Sequence, residues 1–268
     1  MKKFLYIKAA FSPCPNDVFL FYPWKKNKIK TPFKLDLHTF DINTLNELAQ
    51  KQAYPLIKIS AALYPKVMEY YEILPVGITL SYNCGPLLIK SNHNQLNSIQ
   101  SLASPGKDTT AHKLFNRYFS SKKFIFLSYD KIFSAVQKKE VDSGILIHES
   151  RFNLSKEINI LADLGQLWIK ETTLPIPLGC IAISRNLPFK LKLSITSILK
   201  ESFSYSQTFL ESVISFSKNL SQEKDTEIIR KFINTYVSSE VYSISSTGIL
   251  ALKYFWNQLS EKNWLFHA

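Results

Sequence analysis

Short apolar blocks alternate with amphipathic ones along the first two thirds of the chain. "FLYIKAAF" near the start is a short apolar strand, and "DVFLFYPWKKNK" after it opens as a helix with aromatics on one side. In "FKLDLHTF", Phe33, Leu35 and Leu37 point one way while Lys34, Asp36 and His38 point the other, the period of two of a strand. "DINTLNELAQKQ" places Ile42, Leu45, Leu48 and Ala49 at helical spacing, with Asp41 positioned to cap the helix. "PLIKISAALYPKVM" and "GPLLIKS" continue this rhythm, and "TTAHKLFNRYF" reads as a helix followed by the strand "KFIFLSY". "DKIFSAVQKKE" is an amphipathic helix with Ile132, Ala135 and Val136 on one face, and "VDSGILIHES" and "PLGCIAISR" are strands. From about Leu187 onward the pattern is almost purely helical.

Such alternation with a helical tail predicts an α/β chain built on mainly parallel sheet. In that class ligands lie beyond the carboxyl ends of strands, at helix starts. Three stretches meet the test. Ser12 to Asp17 follows the first strand; Pro13 and Pro15 stiffen it, and Asn16 or Asp17 can cap the next helix. In "SPGKDTTAHKLF", Asp108, Thr109 or Thr110 caps a helix whose first-turn amides, at Thr110 and Ala111, suit a carboxylate or phosphate. An ordinary strand-to-helix turn and plain capping compete with a ligand role at these two places. The third is "GILIHESRF", where His148 ends a buried strand beside Glu149, Ser150 and Arg151, a position for a general base. His38, His93, His112 and His267 lack that setting and read as surface or packing residues. Cys14 reads as packed, since nothing near it in sequence lowers its pKa. No serine-hydrolase elbow, HExxH or GxGxxG is present.

Composition narrows the function. The 268 residues are 46% hydrophobic and carry a formal charge of +12, enough chain and core for one large domain or two lobes. Of the 33 basic residues only Arg117, Arg151, Arg185 and Arg230 are arginine, and the lysines are scattered without an aromatic-interleaved stripe. Base and phosphate readers favour arginine, so nucleic acid is not the expected partner; a small anionic metabolite is. "MKKFLYIKAAFS" has only four apolar residues before Lys8, short of a signal core, and no run spans a membrane, so a cytoplasmic protein without membrane attachment is expected. Three widely spaced cysteines (Cys14, Cys84, Cys180) fit neither a disulfide framework nor a zinc site.

The motifs "SPCPND", "DINTLNEL", "KIS", "CGPLL", "PGKDTTA", "YDKI", "GILIHESRF" and "ADLGQLW" with "ETTLPIPLG" run in one order along the chain. This series resembles the 1,4-dihydroxy-6-naphthoate synthase family of the futalosine route to menaquinone. The resemblance covers residues 4 to about 190 and, more loosely, Phe232 to Leu252. It implies a two-lobed fold of the type II periplasmic-binding-protein kind, with an inter-lobe cleft and a helical C-terminal region. Lobe one would comprise 1–90 and 180–268 and lobe two 91–179, with crossings near Ile89–Ser91 and Gly179–Ile181. It implies a lyase that converts cyclic dehypoxanthinyl futalosine to 1,4-dihydroxy-6-naphthoate and releases a three-carbon sugar fragment, without metal or organic cofactor. His148 matches the family's proton acceptor, Lys58, Ile59 and Ser60 a substrate-binding stretch of lobe one, and Thr110 and Ala111 one of lobe two. Ser12, Asn16, Asp17, Thr109 and Arg151 are the candidate pocket wall. Departures from the family pattern fall at Ser81–Asn83, at Asn153, at Leu167–Trp168 and in "YVSS". A transporter's solute-binding protein and the chorismate-dehydrating sister enzyme are the alternatives on the same fold.

Overall fold

The computed structural model of the protein describes residues 6–91, 99–152, 154, 157–221 and 223–259. The chain first runs β1 (Tyr6–Phe11), α1 (Pro15–Lys25), β2 (Lys34–Thr39), α2 (Ile42–Gln50), β3 (Leu56–Ser60), α3 (Tyr64–Val67), β4 (Tyr71–Ile73) and β5 (Thr79–Ser81). It continues with β6 (Leu87–Ser91), β7 (Ser101–Ser104), α4 (Thr110–Tyr118), β8 (Lys123–Phe126), α5 (Tyr129–Gln137), β9 (Ser143–Leu146), β10 (Ile158–Asp163) and α6 (Leu164–Thr172). β11 (Ile176–Ser184) precedes the helical end, α7 (Phe189–Thr208), α8 (Leu210–Leu220), α9 (Thr226–Tyr236), α10 (Ser239–Tyr242) and α11 (Ser246–Leu259).

Two sheets define two lobes. One has the order β2-β1-β3-β11-β4, with β5 also paired to β11, and the other β10-β6-β9-β7-β8. β6 therefore belongs whole to the second sheet and β11 whole to the first, so the chain changes sheets through 82–86 and again through 173–175. The expected crossings at Ile89–Ser91 and Gly179–Ile181 fall inside these strands rather than between them. The first connection runs against the start of α6, where a methyl on Gly85 would lie 2.5 Å from the Gly165 Cα; only glycine allows that approach.

The sheets are mixed rather than mainly parallel. β1 pairs in parallel with β2 and β3, and β7 with β8 and β9, as βαβ crossovers require. β11 is antiparallel to β3, β4 and β5, and β6 is antiparallel to β9 and β10. The antiparallel strands are those that carry the chain from lobe to lobe.

Strand alternation divides the core into layers. In β1, Ile7, Ala9 and Phe11 pack toward α1 and α7, while Ala10 packs on the opposite face. In β6, Leu87 and Ile89 meet α5 residues Ile132 and Val136, and Leu88 joins the cluster on the other face. α1 is buried almost all round, between the first sheet and the terminal helices. Pro23 inside α1 lacks the amide that would bond the Phe19 carbonyl; Ser206 Oγ of α7 donates to that oxygen instead, at 2.5 Å. The helical end of the chain thus anchors the helix that follows the "SPCPND" turn.

Candidate active site

The carboxyl ends of β1, β3, β7 and β9 surround a cleft that is open to solvent. Ser12, Cys14, Asn16, Asp17, Lys58, Ser60 and Thr79 line it from the first lobe, and Thr109, Thr110, Ala111, Ile147, His148 and Arg151 from the second. The strand-end rule therefore places most of the sequence candidates around one space.

β3 supplies two of them. All five residues of Leu56–Ser60 are buried, and with a period of two Lys58 and Ser60 share the cleft face. Ile59 points the other way into the hydrophobic core and does not line the cleft, which corrects its expected place in the binding stretch. The Lys58 ammonium lies 2.7 Å from Asp17 Oδ1 and donates to Thr79 Oγ1 at 3.1 Å and the Gly77 carbonyl at 3.3 Å. Its three donors are thus all engaged. Gly179 of β11 leaves the slot for its stem, since a methyl there would come 2.9 Å from Lys58 Cε.

Asp17 does not cap α1, contrary to expectation, and neither does Asn16. Cys14 occupies the cap position with no side-chain bond, and Pro15 opens the helix. The Asp17 carboxylate instead accepts from Ser12 Oγ at 2.6 Å and from Asn16 Nδ2 at 3.2 Å, besides Lys58. Ser60 Oγ accepts from Asn46 Nδ2 at 3.0 Å, and its amide donates to Asn46 Oδ1 at 2.9 Å. Asn46, buried on α2, was not apparent from sequence.

Thr109 caps α4, its hydroxyl accepting from the His112 amide at 3.2 Å. Thr110 Oγ1 donates to the Leu178 carbonyl at 3.1 Å and accepts from the Ala62 amide at 3.3 Å, so this hydroxyl joins the lobes. What α4 offers the cleft is its first-turn amides at Thr110 and Ala111, which no intrahelical carbonyl reaches. Asp108 pairs with Lys66 Nζ at 2.6 Å. Arg151 donates to the Gly85 carbonyl, to Tyr236 Oη at 3.2 Å and to Asp163 Oδ2 at 3.0 Å, which ties the cleft rim to α9 and α6.

His148 follows β9 and is half-buried, at the start of a single 3₁₀ turn, with a left-handed φ of 65°. Tyr129 of α5 covers the ring at a centroid distance of 4.2 Å. Cys14 Sγ lies 2.7 Å from its Nδ1 and 3.7 Å from its Nε2. Burial lowers the imidazole to about 4, against the opposing pull of Asp17 and Asp41, so the ring is neutral at pH 7. Burial also pushes the Cys14 thiol well above its ordinary value, with Glu149 and Asp17 adding to the effect. A neutral base beside a neutral thiol is the result.

Cys14, which lines the cleft, and Tyr129, which packs on the His148 ring, are the main surprises. The Cys14 contact spans 134 positions of sequence and left no local signal. Of the other histidines, His38 lies 3.0 Å from Asp36 near the surface, and His112 packs buried between Phe124, Phe126 and Ser104. His93, His267 and Asn153 lie outside the described residues. Among the described residues no group of three or more His, Cys, Asp or Glu side chains is placed to hold a metal, and no helix is long and apolar enough to cross a membrane.

Known proteins resemble this chain in sequence and in fold. Residues 7–261 match the family described as Menaquinone biosynthesis. A 1,4-dihydroxy-6-naphtoate synthase from Thermus thermophilus is 32% identical over 243 residues, which cover 90% of this chain and 89% of that protein. One from Streptomyces coelicolor is 28% identical over 254 residues, covering 92% and 90%. Among solved structures, a protein from Archaeoglobus fulgidus has a TM-score of 0.89 at 28% identity, covering 94% of this chain and 97% of that one. The alkanesulfonate-binding protein from Xanthomonas axonopodis pv. citri, bound to MOPS, has a TM-score of 0.68 at 13% identity, covering 98% and 96%. That last likeness shows the periplasmic-binding-protein type of fold and nothing more. With a match along nearly its whole length and a relative above 30% identity, this chain belongs to the menaquinone biosynthesis family.

Proposed function

We propose that the protein is a carbon–carbon lyase that converts cyclic dehypoxanthinyl futalosine to 1,4-dihydroxy-6-naphthoate, with His148 as general base. The observation that carries this reading is the placement of the His148 imidazole at the carboxyl end of β9, in a cleft that both lobes line. A base held neutral at working pH is what proton removal requires. Aromatisation of the product favours the reaction, so the protein's task is to orient the substrate and move protons.

The remaining groups divide by what they have free. Lys58 has no donor left, so its part is to hold Asp17 and the floor of the cleft rather than to bind substrate directly. The substrate's aryl carboxylate is matched by the Thr110 and Ala111 amides at the positive end of α4. Ser60 Oγ accepts from Asn46 and keeps its own proton for a substrate oxygen. Arg151 shapes the rim through Gly85, Tyr236 and Asp163. Work on a soluble biosynthetic intermediate goes with a cytoplasmic location, which cell fractionation checks.

The test is incubation of the purified protein with cyclic dehypoxanthinyl futalosine while the naphthoate absorbance is followed. Appearance of that chromophore with stoichiometric loss of substrate supports the reading. Tight binding of the intermediate without turnover would place the chain with the binding proteins instead.

A further inference from the structure

We infer that Thr79 and Asn16 form a subsite that reads one hydroxyl of the substrate's sugar-derived part: the Thr79 hydroxyl donates to that oxygen, and Asn16 Oδ1 accepts its proton. This rests on the reading of cyclic dehypoxanthinyl futalosine as the substrate. Thr79 of β5 is 5% exposed and lines the cleft. Its Oγ1 accepts from Lys58 Nζ at 3.1 Å and from Asn16 Nδ2 at 3.2 Å. Two accepted bonds use both lone pairs of a hydroxyl, so its proton is what remains, and no acceptor for that proton lies among the described residues. A buried donor without an acceptor, on the wall of an open cleft, points to a ligand oxygen.

Asn16 supplies the complement. Its Nδ2 also donates to Asp17 Oδ1 at 3.2 Å, so both amide protons are taken and Oδ1 is left with no donor among the described residues. The carboxylate fixes the sense of the amide: turned over, two acceptor oxygens would face each other across that 3.2 Å. The subsite thus offers one donor and one acceptor, joined by the bond from Asn16 to Thr79. An alcohol uses both at once. A ketone or ether oxygen leaves Asn16 unserved, and a carboxylate sets a further acceptor against Asn16 Oδ1. The ion pair behind the subsite, Lys58 with Asp17, brings no net charge, whereas the first-turn amides of α4 that suit the aryl carboxylate stand on the other lobe. The neutral, hydroxyl-bearing end of the substrate is therefore the part that meets the first lobe.

The experiment compares cyclic dehypoxanthinyl futalosine with its deoxy analogues, each having one hydroxyl of the sugar-derived part replaced by hydrogen. Affinities are taken by calorimetry with His148→Asn protein, alone and with Thr79→Val, Thr79→Ser or Asn16→Ala added. Should His148→Asn turn the substrate over, the base assignment fails and the same ratios are read from kcat/KM. The expected result is one analogue at least about tenfold weaker than the substrate, because it leaves Thr79 and Asn16 unpaired. Thr79→Val and Asn16→Ala each lower that ratio at least about threefold, while Thr79→Ser, which keeps both the proton and the lone pairs, preserves it. A Thr79 that serves only to hold Lys58 moves stability and overall affinity but not this ratio. Every analogue binding within about twofold of the substrate overturns the inference, whether or not a variant folds. Equal weakening of the substrate and all analogues in Thr79→Val and Asn16→Ala overturns it as well. Selective binding by a protein that forms no naphthoate would leave this inference standing and the lyase reading fallen.

Discussion

Lys58 Nζ lies 2.7 Å from Asp17 Oδ1, with the two side chains only 5% and 3% exposed, on the floor of a cleft proposed to take an anion. The pair joins β3 to the first turn of α1 and brings no net charge to the site. Its cost in desolvation is offset by the satisfied geometry on both sides: Thr79 and Gly77 for the ammonium, Ser12 and Asn16 for the carboxylate.

Breaking one side leaves the other charged group buried and unpaired. Asp17→Asn is expected to lower stability by about 3–5 kcal/mol, and Asp17→Asn with Lys58→Met by less than the sum of the two single losses. Urea unfolding at constant slope measures this. A loss under about 1 kcal/mol for Asp17→Asn, the range of an exposed pair, contradicts the role given to it.

The acid side of the pH profile reports on His148. Its folded value is about 4, below the ordinary 6.5, because burial disfavours the imidazolium. The unfolded chain therefore binds the extra proton first as pH falls. The ring's contribution to stability is present above about 6.5 and is lost as pH drops toward 4. In kcat/KM the limb for loss of the base is expected near 4 in the free enzyme, and a limb at 6.5 would mean a ring exposed to water.

Glu149, next in the chain, has the opposite sign. It is 4% exposed, and burial raises its pKa against the smaller opposing pull of the Glu149 and Glu223 backbone. Above the ordinary carboxylate range the folded protein holds a proton there that the unfolded chain has released, so stability falls as pH rises. Glu149→Gln removes that dependence. Thermal unfolding at about pH 5 and about pH 8 is expected to show the variant gaining on the unaltered protein at the higher pH. Equal differences at both would show that the carboxyl is not held protonated.

Much of this architecture was legible in the sequence, and the gaps have physical causes. Long periodic elements such as α2, α4 and α5 announce themselves, and Asp41 caps α2 as its position implies, accepting from the Asn43 and Thr44 amides. β4, β5 and β7 are three or four residues long, too short for a period to register. β10 exposes Ile160 and Leu161, which blurs its alternation. Strand direction has no local signature, so the antiparallel pairing of β6 and β11 was hidden, and with it the points where the chain changes lobes. In "LIKIS" every residue is buried, so burial pattern alone could not tell that Lys58 and Ser60 face the cleft and Ile59 does not. The strand-end rule located His148, while its partners Cys14 and Tyr129 come from other elements that only the fold brings near.

The central claim is that His148 acts on the substrate rather than merely lining its pocket. His148→Asn is the sharpest probe, because asparagine tolerates the left-handed φ of 65° that this position holds. The deciding measurement sets product formation from cyclic dehypoxanthinyl futalosine beside equilibrium affinity for it, in the same variant preparation. The account predicts no naphthoate, with affinity within about tenfold of the unaltered protein, or roughly 1.4 kcal/mol. Naphthoate formed by the variant at the unaltered rate would contradict it.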